Sequence, residues 1–426
     1  MSVEIIEFNK PREFEESKEF KERKSCVLCD GKLTKFLDLG RTPLADSFVE
    51  DPNKPEKMFP LTVSVCQNCW LVHLNQVVNN DILFGKDYAF FTSSSPSSII
   101  YFRDYAEHIL KEFPDQSDSI VEIASNDGLL LKYFREAGKY VLGVEPVEHI
   151  ARKAEESGVP TIIDFFSKTT SERIVATYDK PGLIIANNVV AHVEDLYDFM
   201  LGVKNLLRHD GVFVFEVHYF PNIIFRNQFD NIYHEHRFFL SIHPLARLME
   251  AVGMEIFNIE RYETQGGSIR VYAKHKDNPA ISKTDRIAEA LAYEEKIGIT
   301  DFDIYSSFQK RVDFIRQELL DILDNLRRRG KQVAGLGATA KSSTLLNYCG
   351  IGTNYLSYIQ DLTPYKIGKF TPGTHIPVIS PEQELNRPDY YLLLAWNYLA
   401  GILRRETQYI QSGGKFIVPI PMPYII

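Results

Sequence analysis

The stretch Tyr233-His234-Glu235-His236 puts a phenol, two imidazoles and a carboxylate in consecutive positions. Three kinds of chemistry are open to it. Alternating histidines can ligate Zn2+ or Fe2+, although the helical H-E-x-x-H spacing is absent and no third ligand is paired with them. A polar loop would use the same rings as solvated or capping groups. The third possibility is proton abstraction. Histidine's ordinary pKa of about 6.5 leaves mostly free base at neutral pH, an adjacent glutamate can orient the ring, and a tyrosine hydroxyl can hydrogen-bond an oxygen on which charge develops.

Cys26-x-x-Cys29 and Cys66-x-x-Cys69 offer four thiolates in two pairs. That is the ligand set of a closed tetrahedral Zn2+ site, which leaves no coordination position for chemistry and so points to a structural metal. Cys349 reads as a core residue. A further signal is the turn from Glu122 through Ala124 and Asn126 to Gly128, between an expected strand at 119–124 and an expected helix at 128–138. Small residues there let a ligand approach the backbone, and the helix start offers free N–H groups. The G-x-G-x-x-G fingerprint of a nicotinamide dinucleotide is missing. Glu145 ends the next expected strand, where a carboxylate can accept both hydroxyls of a ribose. With Asn187 and Asn188 at the fourth strand end, the set resembles the S-adenosylmethionine site of class I methyltransferases. A second turn, with Gly337 and Lys341 between strand and helix, could meet a diphosphate. Gly266-Gly267-Ser268-x-Arg270 is either a substrate loop, with Ser268 and Arg270 as contacts, or a simple bend.

The elements that must carry these groups read as α/β. Strands are expected at 119–124, 140–145, 182–188 and 211–217, with a helix at 196–211 closed by Gly211. A long helical stretch at 282–330, with Phe314, Ile315, Leu319, Leu320, Ile322 and Leu323 at spacings of three and four, should dock one domain on another. The expected division is a zinc domain at 1–95, a class I Rossmann-like domain at 96–278 and a second α/β domain at 279–426. A chain of 426 residues with 44% apolar residues has material for two or three cores. Its net charge of −9 argues against nucleic acid as a partner. No apolar run approaches the roughly 18 residues that span a bilayer, and the charged start lacks a signal peptide's apolar core, so a cytoplasmic enzyme with no membrane contact and no obligate protein partner is expected.

The resemblance becomes specific across the blocks EIASNDGLLL, ANNVVAHVEDL, FDNIYHEH, QGGSIRVYA, GATAKSSTLLNYCGI, TPGTHIPVISPE and AWN, together with the two CxxC pairs. In this order, over roughly residues 24–424, they resemble the sugar C-methyltransferase family of deoxysugar biosynthesis. The resemblance implies a structural Zn2+, S-adenosylmethionine as methyl donor, and a nucleoside-diphosphate 4-keto-deoxysugar bound between the domains and methylated on carbon beside the ketone, C-3 being the usual position. It implies His236 as base, with His234 as the fallback, Glu235 and Tyr233 in the same active-site block, and Tyr88 as a further active-site tyrosine. Competing classes are a sugar O-methyltransferase and a relative that binds a nucleotide sugar without reaction. The chain departs from the family at Ala124, where glycine is common, at His218, where proline is common, and around Ser342 and Gly401. The last three bear on substrate identity rather than reaction type.

Overall fold

Five parallel strands and an antiparallel hairpin build the largest sheet of the computed structural model, which describes residues 14–16, 19–84, 91–94 and 96–426. Across the sheet the strands run Met254–Tyr262, Ser268–His275, Val212–His218, Leu183–Asn187, Ser119–Ile123, Tyr140–Val144 and Thr161–Ile162. Chain order reverses between Ser119–Ile123 and Leu183–Asn187, so their carboxyl ends open a crevice at a topological switch point. Strands covered on both faces must be apolar throughout, as Val212–Val217 is apart from Glu216. The helix expected to reach Gly211 ends at Leu206. Asp195 starts it by accepting the N–H groups of Tyr197 and Asp198, and Leu207 then turns extended. Gly211 instead opens the next strand, where a Cβ would lie 2.8 Å from the Gly182 carbonyl oxygen.

A second, antiparallel sheet contains Leu33–Thr42, Phe59–Cys66 and Val72–Leu74, and its edge strand is Phe238–Phe239, which immediately follows Tyr233–Arg237 in sequence. The four cysteines sit at one end of this sheet. Cys26 Sγ lies 3.4 Å from Cys69 Sγ and Cys29 Sγ 3.4 Å from Cys66 Sγ, with all four sulfurs within 4.8 Å of one another. Tetrahedral Zn–S bonds of about 2.3 Å place sulfurs roughly 3.8 Å apart, so the set fits Zn2+. Each knuckle closes the same way: Asp30 N–H donates to the Cys26 carbonyl at 2.9 Å and Trp70 N–H to the Cys66 carbonyl at 2.7 Å. Gly31 has to be glycine, because a Cβ there would be 2.9 Å from Cys66 Sγ and 3.2 Å from Cys29 Sγ.

The third sheet runs Val378–Ile379, Ile359–Gln360, Val333–Leu336, Tyr390–Leu393, Lys415–Val418 and Tyr424–Ile425, parallel except for the last. Ahead of it, the expected long helix is three: Arg286–Lys296, Phe302–Ser306 and Phe308–Arg328. Gly298, at φ +83°, ends the first, and the Asp301 side chain accepts Asp303 N–H to start the second. The longest buries Phe308, Val312, Ile315, Leu319, Leu323 and Leu326, whereas Phe314 is exposed. Those buried residues share one apolar cluster with Phe36, Leu37 and Val63 of the cysteine domain and Leu345 and Leu392 of the third sheet's domain. This helix therefore does join domains. Among the described residues no helix is long and apolar enough to cross a membrane.

Since Phe238–Phe239 is an edge strand of the sheet that the cysteines close, stripping the metal should loosen the Tyr233–Leu240 segment as well as the knuckles. Hydrogen exchange with and without a chelator should show both regions lose protection while Ser119–Ile123 keeps its own; a response confined to the knuckles would uncouple metal from segment.

Candidate active site

Tyr233 to His236 form a tight turn in which His236 N–H donates to the Tyr233 carbonyl at 2.9 Å. Such a turn brings its first and fourth residues side by side and sends the middle two elsewhere. Hence the Tyr233 hydroxyl lies 2.8 Å from His236 Nε2, with ring centres 3.9 Å apart. His236 Nδ1 lies 2.6 Å from the Asn231 carbonyl oxygen. A carbonyl only accepts, so Nδ1 carries the hydrogen and the Nε2 lone pair faces the phenol. The ring is therefore oriented by the Asn231 backbone and not, as the sequence suggests, by Glu235. Glu235 is itself buried, pushed up to about 8 by burial and then by Asp46, with one oxygen lacking a partner. His234, the alternative base, donates from Nε2 to the Pro60 carbonyl at 3.2 Å and packs against Phe59, so it fastens the turn to the cysteine domain. Fully buried Arg237 does the same through the Val78 carbonyl at 2.8 Å and Asn80 Oδ1 at 2.7 Å.

Three elements complete the surroundings of His236. His192 lies just beyond the strand Leu183–Asn187 and His218 ends Val212–His218; their ring centres are 5.0 and 4.9 Å from that of His236. Burial, followed by His218 and His192, holds His236 well below histidine's usual range, and burial lowers His192 to about 4 and His218 to about 3. All three rings are neutral bases. From the third domain comes Lys341, buried, donating to the Gln265 carbonyl at 2.9 Å and lying over the Trp396 ring. Burial lowers it to about 8 against the opposing pull of Asp230. Asp230 in turn accepts Trp396 Nε1–H at 2.5 Å and is raised to about 6 by burial. His192, Asp230 and Trp396 are not apparent as site residues in the sequence, where His218 stands out only as a departure bearing on substrate identity; the available clue for the two histidines is that they lie at or beyond strand carboxyl ends, where open α/β sheets bind ligands.

The residues expected to hold the donor lie at the switch point. Ala124 and Asn126 hold φ of +56° and +50°, and Gly128 at +76° begins the helix Leu129–Glu136. The alanine departure from the family's glycine is thus a matter of backbone conformation, not of size. Glu145 accepts the N–H groups of Asn126 and Val147, each at 3.0 Å, and burial raises it to about 7. Glu122 is raised well above the carboxylate range by burial, then by Asp127 and Glu145. Buried polar atoms without partners converge here: Glu122 Oε2, Ser125 Oγ, Asp127 Oδ1 and both side-chain atoms of Asn187. Three acids and several unpaired polar atoms fit a polar nucleoside that carries positive charge, as S-adenosylmethionine does at its sulfonium and amine. Asn126 spends its side-chain oxygen on Thr92 N–H at 2.8 Å, and Asn188, at φ +54°, continues the ladder through its N–H to the Glu216 carbonyl.

Several expected substrate contacts are engaged otherwise. Arg270 pairs with Glu216 at 2.7 Å, both 2% exposed, and its guanidinium is sandwiched by Tyr105 and Tyr262 at 3.9 and 4.3 Å. Tyr101 donates to the same carboxylate. Ser268 bonds the Thr264 carbonyl, and Gly267 is a bend where a Cβ would strike Asn222 at 2.2 Å. Gly337 fits tightly against Ala395, and one N–H of the turn expected to meet a diphosphate, that of Ala338, is taken by the Asp361 carboxylate at 2.6 Å. Of the four, Lys341 alone faces the histidines. Tyr88 lies outside the described residues.

Three families match along the chain: a zinc binding domain over residues 26–84, a methyltransferase domain over 99–259 and a C-methyltransferase C-terminal domain over 263–421. The C-methyltransferase NovU of Streptomyces niveus is 37% identical over 399 residues, covering 92% of this chain and 93% of that protein. The chain belongs to the C-methyltransferase family. It is an S-adenosylmethionine-dependent methyltransferase with a structural zinc site. Solved structures resemble it only in part and carry no weight beside that match: magnesium protoporphyrin IX methyltransferase of Synechocystis PCC 6803 with bound SAM (11% identity, TM-score 0.32, 41% of this chain and 78% of that one) and the plantazolicin methyltransferase BpumL with SAH (10% identity, TM-score 0.34, 43% and 86%).

Two outcomes are expected of this C-methyltransferase. Replacing Arg270 with methionine leaves Glu216 buried with the Tyr101 hydroxyl but no counter-charge and should cost about 3–5 kcal/mol in urea unfolding, while E216L/R270M should recover a good part of it; equal losses would mean the ion pair is not what makes the single change costly. Histidine 15N spectra from pH 8 to 5 should show rings that remain neutral, one of which disappears in H236N. If that resonance titrates near 6.5, burial does not control the ring.

Proposed function

We propose that this C-methyltransferase methylates a carbon beside the ketone of a nucleoside-diphosphate 4-keto-deoxysugar, C-3 by preference, in the cleft between the domains at 1–95, 96–278 and 279–426. The observation that carries the reading is the Tyr233–His236 pair, a phenol 2.8 Å from the lone pair of a buried neutral imidazole. Carbon is a poor nucleophile until it loses a proton, and a neighbouring carbonyl makes that proton acidic enough for imidazole to compete. The relative's own name, C-methyltransferase, supports carbon over oxygen as the acceptor.

In this mechanism His236 Nε2 takes the carbon-bound proton as the Tyr233 hydroxyl shifts from Nε2 to the enolate oxygen. The Asn231 carbonyl, fixed on Nδ1–H, stabilises the imidazolium that forms. Lys341 adds positive charge on the side of the third domain, where it favours an enolate over a neutral ketone. Glu122, Ala124, Asn126, Gly128, Glu145, Asn187 and Asn188 form the crevice for the donor. Bound S-adenosylmethionine supplies a methyl group made electrophilic by its sulfonium. The enolate carbon takes that methyl with inversion, and the proton leaves His236 to solvent.

H236N should bind S-adenosylhomocysteine normally yet lower turnover at least about a hundredfold, measured on dTDP-, GDP- and CDP-linked 4-keto sugars. In D2O the wild type with S-adenosylhomocysteine should exchange the acidic hydrogen and the variant should not. Near-normal turnover in H236N would remove His236 as the base.

A further inference from the structure

The proposed chemistry leaves two histidines beside His236 unused, His192 and His218, and of these His218 has a buried ring nitrogen without a partner. His218 ends the strand Val212–His218, pairs across the ladder with Ser268, and holds its ring centre 4.9 Å from that of His236. Its Nε2 is buried and has no hydrogen-bond partner. The groups facing it are His236, His192 and the Lys341 ammonium. None of them supplies a bond to Nε2. Lys341 is turned to the Gln265 carbonyl and His236 has both nitrogens engaged, by Asn231 and Tyr233. A buried nitrogen that the protein leaves unpaired is costly, and a ligand that completes it binds more tightly than one that cannot.

We propose that His218 is a specificity residue of the acceptor pocket, its Nε2 hydrogen-bonding a hydroxyl or amino substituent on the carbon that His236 deprotonates or on the carbon next to it. The inference rests on the reaction proposed above. Two features select that ligand chemistry. The ring adjoins His236, so a sugar whose acidic hydrogen meets His236 brings the substituents of that carbon and its neighbour to His218. Its nitrogen belongs to a neutral imidazole, lowered to about 3 by burial and by Lys341 and His192, and so cannot act as a cation for phosphate. Hydroxyl and amino groups both donate and accept, and thus satisfy either tautomer, whereas hydrogen satisfies neither. A pocket built to bond a substituent rejects the analogue lacking it far more strongly than an apolar pocket does, because its own polar group is then stranded.

The test compares wild type, H218F and H218Q on dTDP-, GDP- and CDP-linked 4-keto-6-deoxy sugars bearing hydroxyl, amino or hydrogen at C-2 and at C-3. S-adenosylhomocysteine affinity serves as the folding control. Wild type should favour a hydroxyl- or amino-bearing sugar over its hydrogen counterpart by at least about tenfold in kcat/KM. H218F should bring that ratio down to within about threefold, and H218Q, which keeps a hydrogen-bonding amide, should retain an intermediate ratio. The hydroxyl and amino arms identify which substituent is read. The inference is overturned if folded H218F discriminates as wild type does, or if wild type does not discriminate at all. A wild type that turns over no sugar of the panel sinks the proposed reaction itself, and this inference with it; that outcome is distinct because it shows before any substitution is made.

Discussion

The pairing of Phe238–Phe239 with Val72–His73 is the contact on which the geometry of the Tyr233–His236 turn depends. Two residues of ladder would be feeble alone, but they are backed on both sides. Arg237 reaches the Val78 carbonyl, its own carbonyl accepts Leu74 N–H at 3.0 Å, and His234 holds the Pro60 carbonyl. Of these partners Leu74 and Pro60 belong to the small sheet closed by four sulfurs, and Val78 to a three-stranded sheet through the strand Gln76–Val78, so the free energy of binding zinc is part of the free energy of folding the first sheet. On the proposed reading, a metal with no coordination position to spare thus supports the geometry of the base without touching substrate.

On the proposed reading, the two halves of the site have opposite electrical character, which suits the transfer. The donor crevice gathers Glu122, Asp127 and Glu145, whose mutual repulsion and burial make an empty site unfavourable for anions and welcoming to a cation. The acceptor cleft gathers neutral imidazoles and an ammonium, an environment that favours an enolate. A methyl group moving from sulfonium to carbanion cancels both charges. Each half therefore binds its charged reactant more strongly than its neutral product, and release of products meets little electrostatic resistance.

What could be read from the sequence was whatever is encoded at short range. Two CxxC pairs define a metal set by spacing alone, and small residues between an apolar strand and an amphipathic helix define a ligand turn. Contacts between distant residues were not legible. Arg270 looks like a substrate contact until the register aligns it with Glu216, and only the sheet brings those two together. Glu235 beside His236 looks like its orienter until the turn sends it toward Asp46, because adjacency in sequence is not adjacency of side chains. Phe314 fits an apolar repeat yet lies on the exposed side of its helix, since the buried stripe is set by Phe308, Val312 and Ile315. Ala124 reads as a size change from glycine, whereas its φ of +56° makes it a strained position costing about 1 kcal/mol.

The second glycine turn shows how a familiar pattern can be put to another use. Strand, glycine and helix at 333–349 have the form of a phosphate site, but Asp361 occupies the Ala338 N–H, Thr339 caps Ser342, and Lys341 leaves the turn altogether. The helix instead works as a clasp. Lys341 holds the Gln265 carbonyl, Thr344 Oγ1 donates to the Ile232 carbonyl at 2.8 Å, and Ser343 Oγ donates to the Ala45 carbonyl at 2.6 Å. Trp396, from the same domain, holds Asp230. Residues 230–232 are thus gripped by the third domain just as His234 and 237–239 are gripped by the cysteine domain and the three-stranded sheet, and Tyr233 and His236 lie among these grips. Neither grip belongs to the sheet that forms the donor crevice, although the turn is part of that sheet's own segment of chain. On the proposed reading the base is thus held mainly from the two flanking domains, while the domain of the sheet at 119–275 adds the Ala191 carbonyl, which accepts Phe238 N–H at 3.1 Å, and the His192 and His218 rings beside His236.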